Sequence, residues 1–407
     1  MRSTFIAAAA ALFILPTSAL AWPGCGTVDE FPTAEWQQVP FDNVEDYGWD
    51  WTYLHVARRM FLAMDSGAVM IVHRGRLIAQ WGDTDDRYVT QSVRKSLLNS
   101  LVGQAEARGE LSLDMTLAEL GIDDTNPPLT MEERTATVED LLWSRSGIMH
   151  RAAYETPGHQ RDRDRFGRIK LDDPSLFRPG EMWTYNNWDF NVLGVIVEQL
   201  AGESLGDLFA RDVAAPIGME DFRVQDVHYI RAGDLTERAL GNRSEYPAYM
   251  FDMSTRDLAR YGLLYLNCGN WEGNQIVPRD WVRRSIAAAR DVNDGLPEGV
   301  SIEGRGDYGY HWWVDRPGAR MYSTLHMAEP YYFGTGGRGH EIFVFPALDL
   351  VIAHQVPTRS TGFFAQLSRR FLGGPNAPEY QVGLLVRTII QGHPDAATAF
   401  TTNESDD

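Results

Sequence analysis

Lysine is almost missing from this chain. Of its 37 basic residues, Lys95 and Lys170 are lysines and all the others are arginine. Arginine does not release its proton in a protein, whereas a desolvated lysine can. Lysine is therefore not this chain's generic surface charge. Basic charge is short altogether. The formal net charge of −19 argues against nucleic acid and anionic membrane as partners. Cysteine is limited to Cys25 and Cys268. No Cys/His cluster has metal-site spacing, and no glycine-rich phosphate loop follows a strand. Neither a metal nor a cofactor is expected. Beyond the N-terminus no apolar run is long enough to cross a bilayer.

The apolar run that is present, Phe5 to Leu15, follows Arg2 and precedes Ala19-Leu20-Ala21. This is the pattern of a secretory signal peptide over residues 1–21, cut after Ala21. The product would be exported, to a periplasm or the outside. In an oxidising compartment Cys25 and Cys268 can pair. Two unrelated thiols are as good a reading of the sequence.

Residues 22–50 are aromatic and Pro-rich, an irregular leader. Ala68 to Val72 and Leu77 to Trp81, joined by His73-Arg74-Gly75-Arg76, predict a β-hairpin. After Ser92, the residues Val93, Leu97, Leu101, Val102 and Ala105 fall at helical spacing, and Gly109 ends the run. Thr137 to Leu142 predicts a helix start. Helices are also predicted over 191–200, closed by Gly202, and over 254–267. The segment 150–180, with alternating Arg and Asp at 161–165, reads as a solvated loop. Strand signals return at 308–314 and 341–353, and a last helix is expected over 381–390. Strands at both ends with helices between predict an α/β sheet domain from residues 22–95 and 251–391, a helical domain at 96–250, and a disordered tail at 392–407.

Three short motifs carry chemistry. Ser92-Val93-Arg94-Lys95 puts a serine and a rare lysine on one face of a helix start. The positive helix end favours an alkoxide at Ser92 and lowers the proton affinity of Lys95, as burial also would. In Tyr185-Asn186-Asn187, a tyrosine near an ammonium group can act as acid or base, and Asn187 can hold a lysine or a substrate carbonyl. In Phe333-Gly334-Thr335-Gly336-Gly337-Arg338-Gly339-His340, glycines let a strand edge approach a substrate and aim an N–H at an oxyanion. Singly, each is also an ordinary cap, turn or bend.

In this order, the motifs resemble the serine β-lactamase and penicillin-binding-protein superfamily. The class C-like branch is most similar, with its carboxylesterases, D-amino-acid peptidases and 6-aminohexanoate-dimer hydrolases. Connecting text agrees as well: Ser146-Gly147-Ile148, Pro179-Gly180, Ala215-Pro216-Ile217-Gly218-Met219, and Asp257 to Gly262. The resemblance implies an antiparallel sheet flanked by helices with a helical insertion, and an acyl-enzyme on Ser92. Lys95 would be its base, Tyr185 the partner that protonates the leaving group, and Asn187 a supporting amide. Thr335, Gly336 and Gly337 would bind substrate or form the oxyanion hole with the Ser92 N–H. The substrate would be a small ester, amide or lactam. A penicillin-binding or D,D-peptidase-type protein that acylates with little turnover is the alternative. The family carries Lys or His before Thr-Gly in the third motif, where this chain has Gly334. That loss favours a substrate without an obligatory carboxylate, unless Arg338 or His340 replaces the cation.

Gly202-Glu203-Ser204-Leu205-Gly206 also matches the G-x-S-x-G nucleophile elbow, which needs a strand before its serine. The preceding segment has helical spacing, so Ser204 is expected to cap a helix over 205–213. Tyr308, Trp312, Trp313, Tyr331 and Tyr332 either line an apolar pocket or fill the sheet core.

Overall fold

The structure is a computed structural model that describes residues 22–125, 127–155, 177–234, 237–238, 241, 243–287, 289–296, 306–317, 321–358 and 375–401. The expected signal peptide, Lys170 and the charged stretch 161–165 lie outside the described residues.

Helix α1 (Trp51–Ala63) precedes strands β1 (Ala68–His73), β2 (Arg76–Gly82) and β3 (Arg87–Val89). A 3-10 turn, Gln91–Val93, runs straight into α2 (Arg94–Ala107). Then come α3 (Val138–Leu142), α4 (Asn187–Ala201), α5 (Leu205–Phe209), β4 (Val227–Ile230) and β5 (Ala248–Ser254). Helix α6 (Thr255–Leu266), a small hairpin β6 (Asn270–Trp271) and β7 (Asn274–Gln275), and α7 (Arg279–Ala287) follow. The C-terminal part holds β8 (Arg290–Asp291), β9 (Asp307–Tyr308), β10 (Trp313–Asp315), β11 (Tyr331–Gly336), β12 (His340–Phe345) and β13 (Leu350–Gln355). It closes with α8 (Glu379–Gln391) and α9 (Ala396–Ala399).

The main sheet has the order β2-β1-β13-β12-β11-β10-β9-β8, antiparallel throughout. Its longer strands are buried at nearly every position because helices cover both faces. Along β1, Val69 and Ile71 join the core under α1 and α8, while Met70 and Val72 join the core under α2 and α6. The period of two sets this division. At the β1–β2 turn Arg74 and Gly75 both have positive φ, 54° and 90°, as the twist of a two-residue hairpin demands. A Cβ on Gly75 would lie 1.7 Å from the carbonyl oxygen of Glu30, so this turn also seats the leader.

The leader is irregular apart from a 3-10 turn at Phe41–Tyr47. It is nevertheless tied down. Cys25 and Cys268 form a disulfide, Gly26 N–H donates to Leu266 O, and the buried Arg260 donates to Pro32 O and Thr33 O. The stretch 96–250 is less purely helical than expected, because it contains β4 and the start of β5, which join β3 in a second sheet of order β3-β5-β4. Residues 392–401 depart from the expected disorder: His393 is buried with Nε2 on Leu348 O, and Ala396–Ala399 is helical. Polar composition misled here, since a few contacts with Trp49, His73 and Leu348 hold the segment.

Caps fix the helices. The Ser254 side chain accepts from Asp257 N at the head of α6, and Thr137 and Asp140 form a reciprocal capping box on α3. Each such cap is worth about 1 kcal/mol. Helix α2 is the central strut. Everything from Arg94 to Ala105 is buried, so its polar side chains need partners. Ser96 Oγ donates to His311 O, Asn99 Nδ2 to Tyr310 O, and Gln104 Nε2 to Ile276 O.

Candidate active site

Ser92 lies between β3 and α2, and its neighbours are pinned. The Thr90 N–H and hydroxyl both donate to Phe251 O on β5, each at 2.9 Å. Gln91 then takes φ 53°, a left-handed conformation that costs a side-chain-bearing residue energy. The Tyr154 hydroxyl bonds to the Gln91 side chain. After this bend the chain enters the 3-10 turn, and Ser92 Oγ comes 2.9 Å from Lys95 Nζ. Lys95 is buried. Desolvation, and next the charge of Arg94, hold its amine well below the usual lysine range. A neutral amine beside a hydroxyl is a proton acceptor, and Ser92 is placed to supply the proton.

Helix α4 brings the second motif. Asn186 is its N-cap, with a side-chain oxygen accepting from Trp188 N. That cap projects Tyr185 backward and Phe190 inward, so that Lys95 Nζ lies 4.7 Å from the centroid of each ring. Tyr185 stacks on Trp313 and packs edge-on against Tyr308. Asn187, expected to hold the lysine or a substrate carbonyl, follows at the first position of α4. Its Nδ2 donates to Tyr154 O, and its Oδ1 accepts from Arg94 at 3.4 Å.

The third motif occupies the end of β11, where successive side chains alternate between the two faces of the sheet. A Cβ on Gly334 would meet Ser96 Oγ at 2.7 Å, and one on Gly336 would meet Thr90 O at 2.5 Å. These two positions therefore face the Ser92 segment, and only glycine fits them. Thr335 faces the other layer and its hydroxyl donates to the buried Glu341 at 2.7 Å, so it does not share the face of Ser92 as expected. Gly337 follows, exposed, with no atom within 4 Å of where its Cβ would stand. His340 does not replace the missing cation. It is buried, shares a hydrogen bond with the Thr358 hydroxyl, and is pushed down to about 3 by desolvation. Arg338 turns toward residues 375–377, its Nη1 reaching Pro375 O.

Three residues of the neighbourhood escaped the motif reading. His311, in the turn before β10, has φ 61°, and its Nδ1 is 3.0 Å from Lys95 O. Burial pushes it down to about 3, so it stays neutral. Tyr154 and Arg94 are the others. A positive φ at a non-glycine leaves no trace in sequence, and an arginine in a charged chain gives no sign that it is buried. Trp312 and Tyr332 belong to the sheet core on the α2 side, and Tyr331 to the opposite layer. Trp313 and Tyr308 pack around Tyr185, nearer to the pocket reading. Ser204 is a helix cap, its Oγ accepting from Asp207 N at 3.1 Å, with the helix α4 before it rather than a strand.

The Beta-lactamase family model matches residues 55–368. This chain belongs to the Beta-lactamase family. An uncharacterised protein of Alkalihalophilus pseudofirmus is 24% identical over 333 residues, 74% of this chain and 87% of that one. Two solved structures share the fold. A protein assigned as a 6-aminohexanoate-dimer hydrolase from Bacillus anthracis has a TM-score of 0.54 at 16% identity, covering 86% of this chain and 88% of its own. A beta-lactamase from Mycobacterium bovis has a TM-score of 0.50 at 19% identity, covering 82% and 99%. As a Beta-lactamase family member the chain is expected to act on small molecules. No helix among the described residues is long and apolar enough to cross a membrane, and no group of three metal-binding side chains occurs among them.

Proposed function

We propose that this protein is an exported serine hydrolase that forms an acyl-enzyme on Ser92 and hydrolyses an ester or amide. The observation that carries the reading is the 2.9 Å contact between Ser92 Oγ and the buried, deproton-prone Lys95 Nζ. In acylation the Ser92 hydroxyl proton passes to Nζ as Oγ bonds to the substrate carbonyl carbon. The carbonyl oxygen becomes an oxyanion, supported by the Ser92 N–H and an N–H of 336–338. Collapse breaks the bond to the leaving group, which takes a proton relayed through Lys95 and Tyr185. Water then attacks the acyl carbon and gives its proton to the same pair; collapse breaks the bond between the acyl carbon and Oγ, Oγ takes that proton back, and the acid product leaves. The glycine face of β11 supports a substrate that needs no carboxylate anchor there. The Cys25–Cys268 disulfide supports an oxidising destination.

The test is intact mass spectrometry of wild type and Ser92→Ala after brief exposure to a p-nitrophenyl ester and, separately, a cephalosporin, with product release followed in parallel. Ester turnover and an acyl adduct are expected in wild type and neither in the variant. Undiminished turnover in Ser92→Ala sinks the assignment. A stable adduct without turnover turns the reading to a penicillin-binding receptor, and rapid cephalosporin hydrolysis to a β-lactamase.

A further inference from the structure

We propose that Arg94 is a positioning residue whose permanent charge adds to burial in keeping Lys95 in its neutral, proton-accepting form. The inference rests on the reading of Ser92 and Lys95 as nucleophile and base.

Arg94 and Lys95 are consecutive in the first turn of α2, and both are buried. The guanidinium has no carboxylate within ion-pair distance among the described residues, and its Nε and Nη1 have no hydrogen-bond partner there. Only Nη2 bonds, at 3.4 Å and 3.5 Å, to the neutral amide oxygens of Asn187 and Asn191 on α4. The plane lies over the Tyr249 ring of β5, 4.7 Å from its centroid. A buried arginine normally has an acid beside it, because an uncompensated guanidinium is costly out of water. Among the described residues no acid cancels this charge, which lies next to the one side chain that must lose its own.

Burial pushes several neighbouring titratable groups toward their neutral forms. His311, against the Lys95 carbonyl, is held neutral by burial. Tyr249 and Tyr308 are pushed up by burial and stay protonated. Asp189 of α4 is also pushed up by burial, and its Oδ1 accepts from Ser146 and Asn186. Tyr185 contributes its ring face. Arg94 is a permanent positive charge beside Lys95, and it raises the cost of a second cation there. Through Asn187 and Asn191 it also clamps α4, which carries Phe190 and follows directly on Tyr185. A purely structural clamp would need the hydrogen bonds and not the charge.

The scarcity of lysine makes the test direct. Labelling lysine with 13C at Cε gives resonances from Lys95 and Lys170, assigned with Lys170→Arg. The titration of Lys95 is followed in wild type, Arg94→Met and Arg94→Gln, beside the pH profile of kcat/KM for p-nitrophenyl acetate. The neutral variants are expected to raise the Lys95 midpoint by about one unit or more and to move the acid limb of the profile up with it, a roughly tenfold rate loss below that limb. Arg94→Gln, which can still bond to the α4 amides, should shift as far as Arg94→Met, whereas a purely structural clamp would survive in it. An unmoved midpoint in the neutral variants, a shift in Arg94→Met alone, or collapse of the fold in both neutral variants overturns the proposal. Absence of any Ser92 adduct in wild type with a Lys95 midpoint that does follow Arg94 means instead that the hydrolase reading has failed while the electrostatic one stands.

Discussion

Replacing Lys95 with Met should inactivate the protein and stabilise it. An unfolded chain holds its lysines protonated below the ordinary value of 10.5, whereas desolvation holds folded Lys95 well below that value. Between the two values the unfolded state binds one more proton than the folded state. Stability therefore rises with pH across this window, and the contribution of Lys95 is fully recovered only above 10.5. Each unit of depression costs the native state about 1.4 kcal/mol at pH values below the folded midpoint. In a chain of this size that is about 2 °C in melting temperature per unit. Methionine fills nearly the same volume and carries no such cost, although it gives up the bond to Ser92, worth about 1 kcal/mol. The net effect is stabilisation once the depression exceeds about one unit. The assay is urea unfolding of wild type and Lys95→Met from neutral pH to above 10. The variant should be more stable at neutral pH, and its advantage should shrink steadily as pH rises. A variant less stable at neutral pH, or an advantage independent of pH, would refute the reasoning, because neither is compatible with a lysine that folding forces to release its proton.

Ser204→Ala should leave ester turnover unchanged and cost about 1 kcal/mol in urea unfolding, the loss of a helix cap; loss of turnover would reinstate the elbow serine. Gly334→Lys, which restores the family's cation, should gain no cephalosporin turnover and lose about 1–3 kcal/mol of stability by overpacking against Ser96. A gain in that turnover would show that the strand edge yields. Removing the disulfide with Cys25→Ser and Cys268→Ser should cost up to about 5 kcal/mol, given the long span it closes, read as a lower denaturation midpoint. A change below about 1 kcal/mol would mean that the hydrogen bonds of the leader suffice without it.

What could be read in the sequence was what is local. Ser92 and Lys95 are one helical turn apart, so spacing alone puts them on one face, and Asn186, Ser254 and Thr137 announce helix starts by their own side chains. The sheet built from both chain ends followed from the placement of strand text. What was illegible depends on contacts between distant segments. His311 reaches Lys95 across 216 positions. The face that Thr335 takes is decided by Ser96 and Glu341, neither of which the motif contains. Arg94 looks like any of the surface arginines until α2 is seen buried on all sides. The pairing of Cys25 with Cys268 required knowing that the leader crosses the end of α6.

The eight-stranded sheet also dictates when this chain can fold. Strand β1 is hydrogen-bonded to β2 on one side and to β13 on the other, with Val69 opposite His354. Half of its ladder must wait for residues far downstream, and the two partners must then find each other across that long span. Contacts of such long range are slow to form, because loop closure is unfavourable until both ends are in place. An incomplete chain ending before β13 would expose β1 as a bare apolar edge, a template for pairing with other chains. The same clasp that makes the finished sheet continuous leaves no smaller part of it able to mature first.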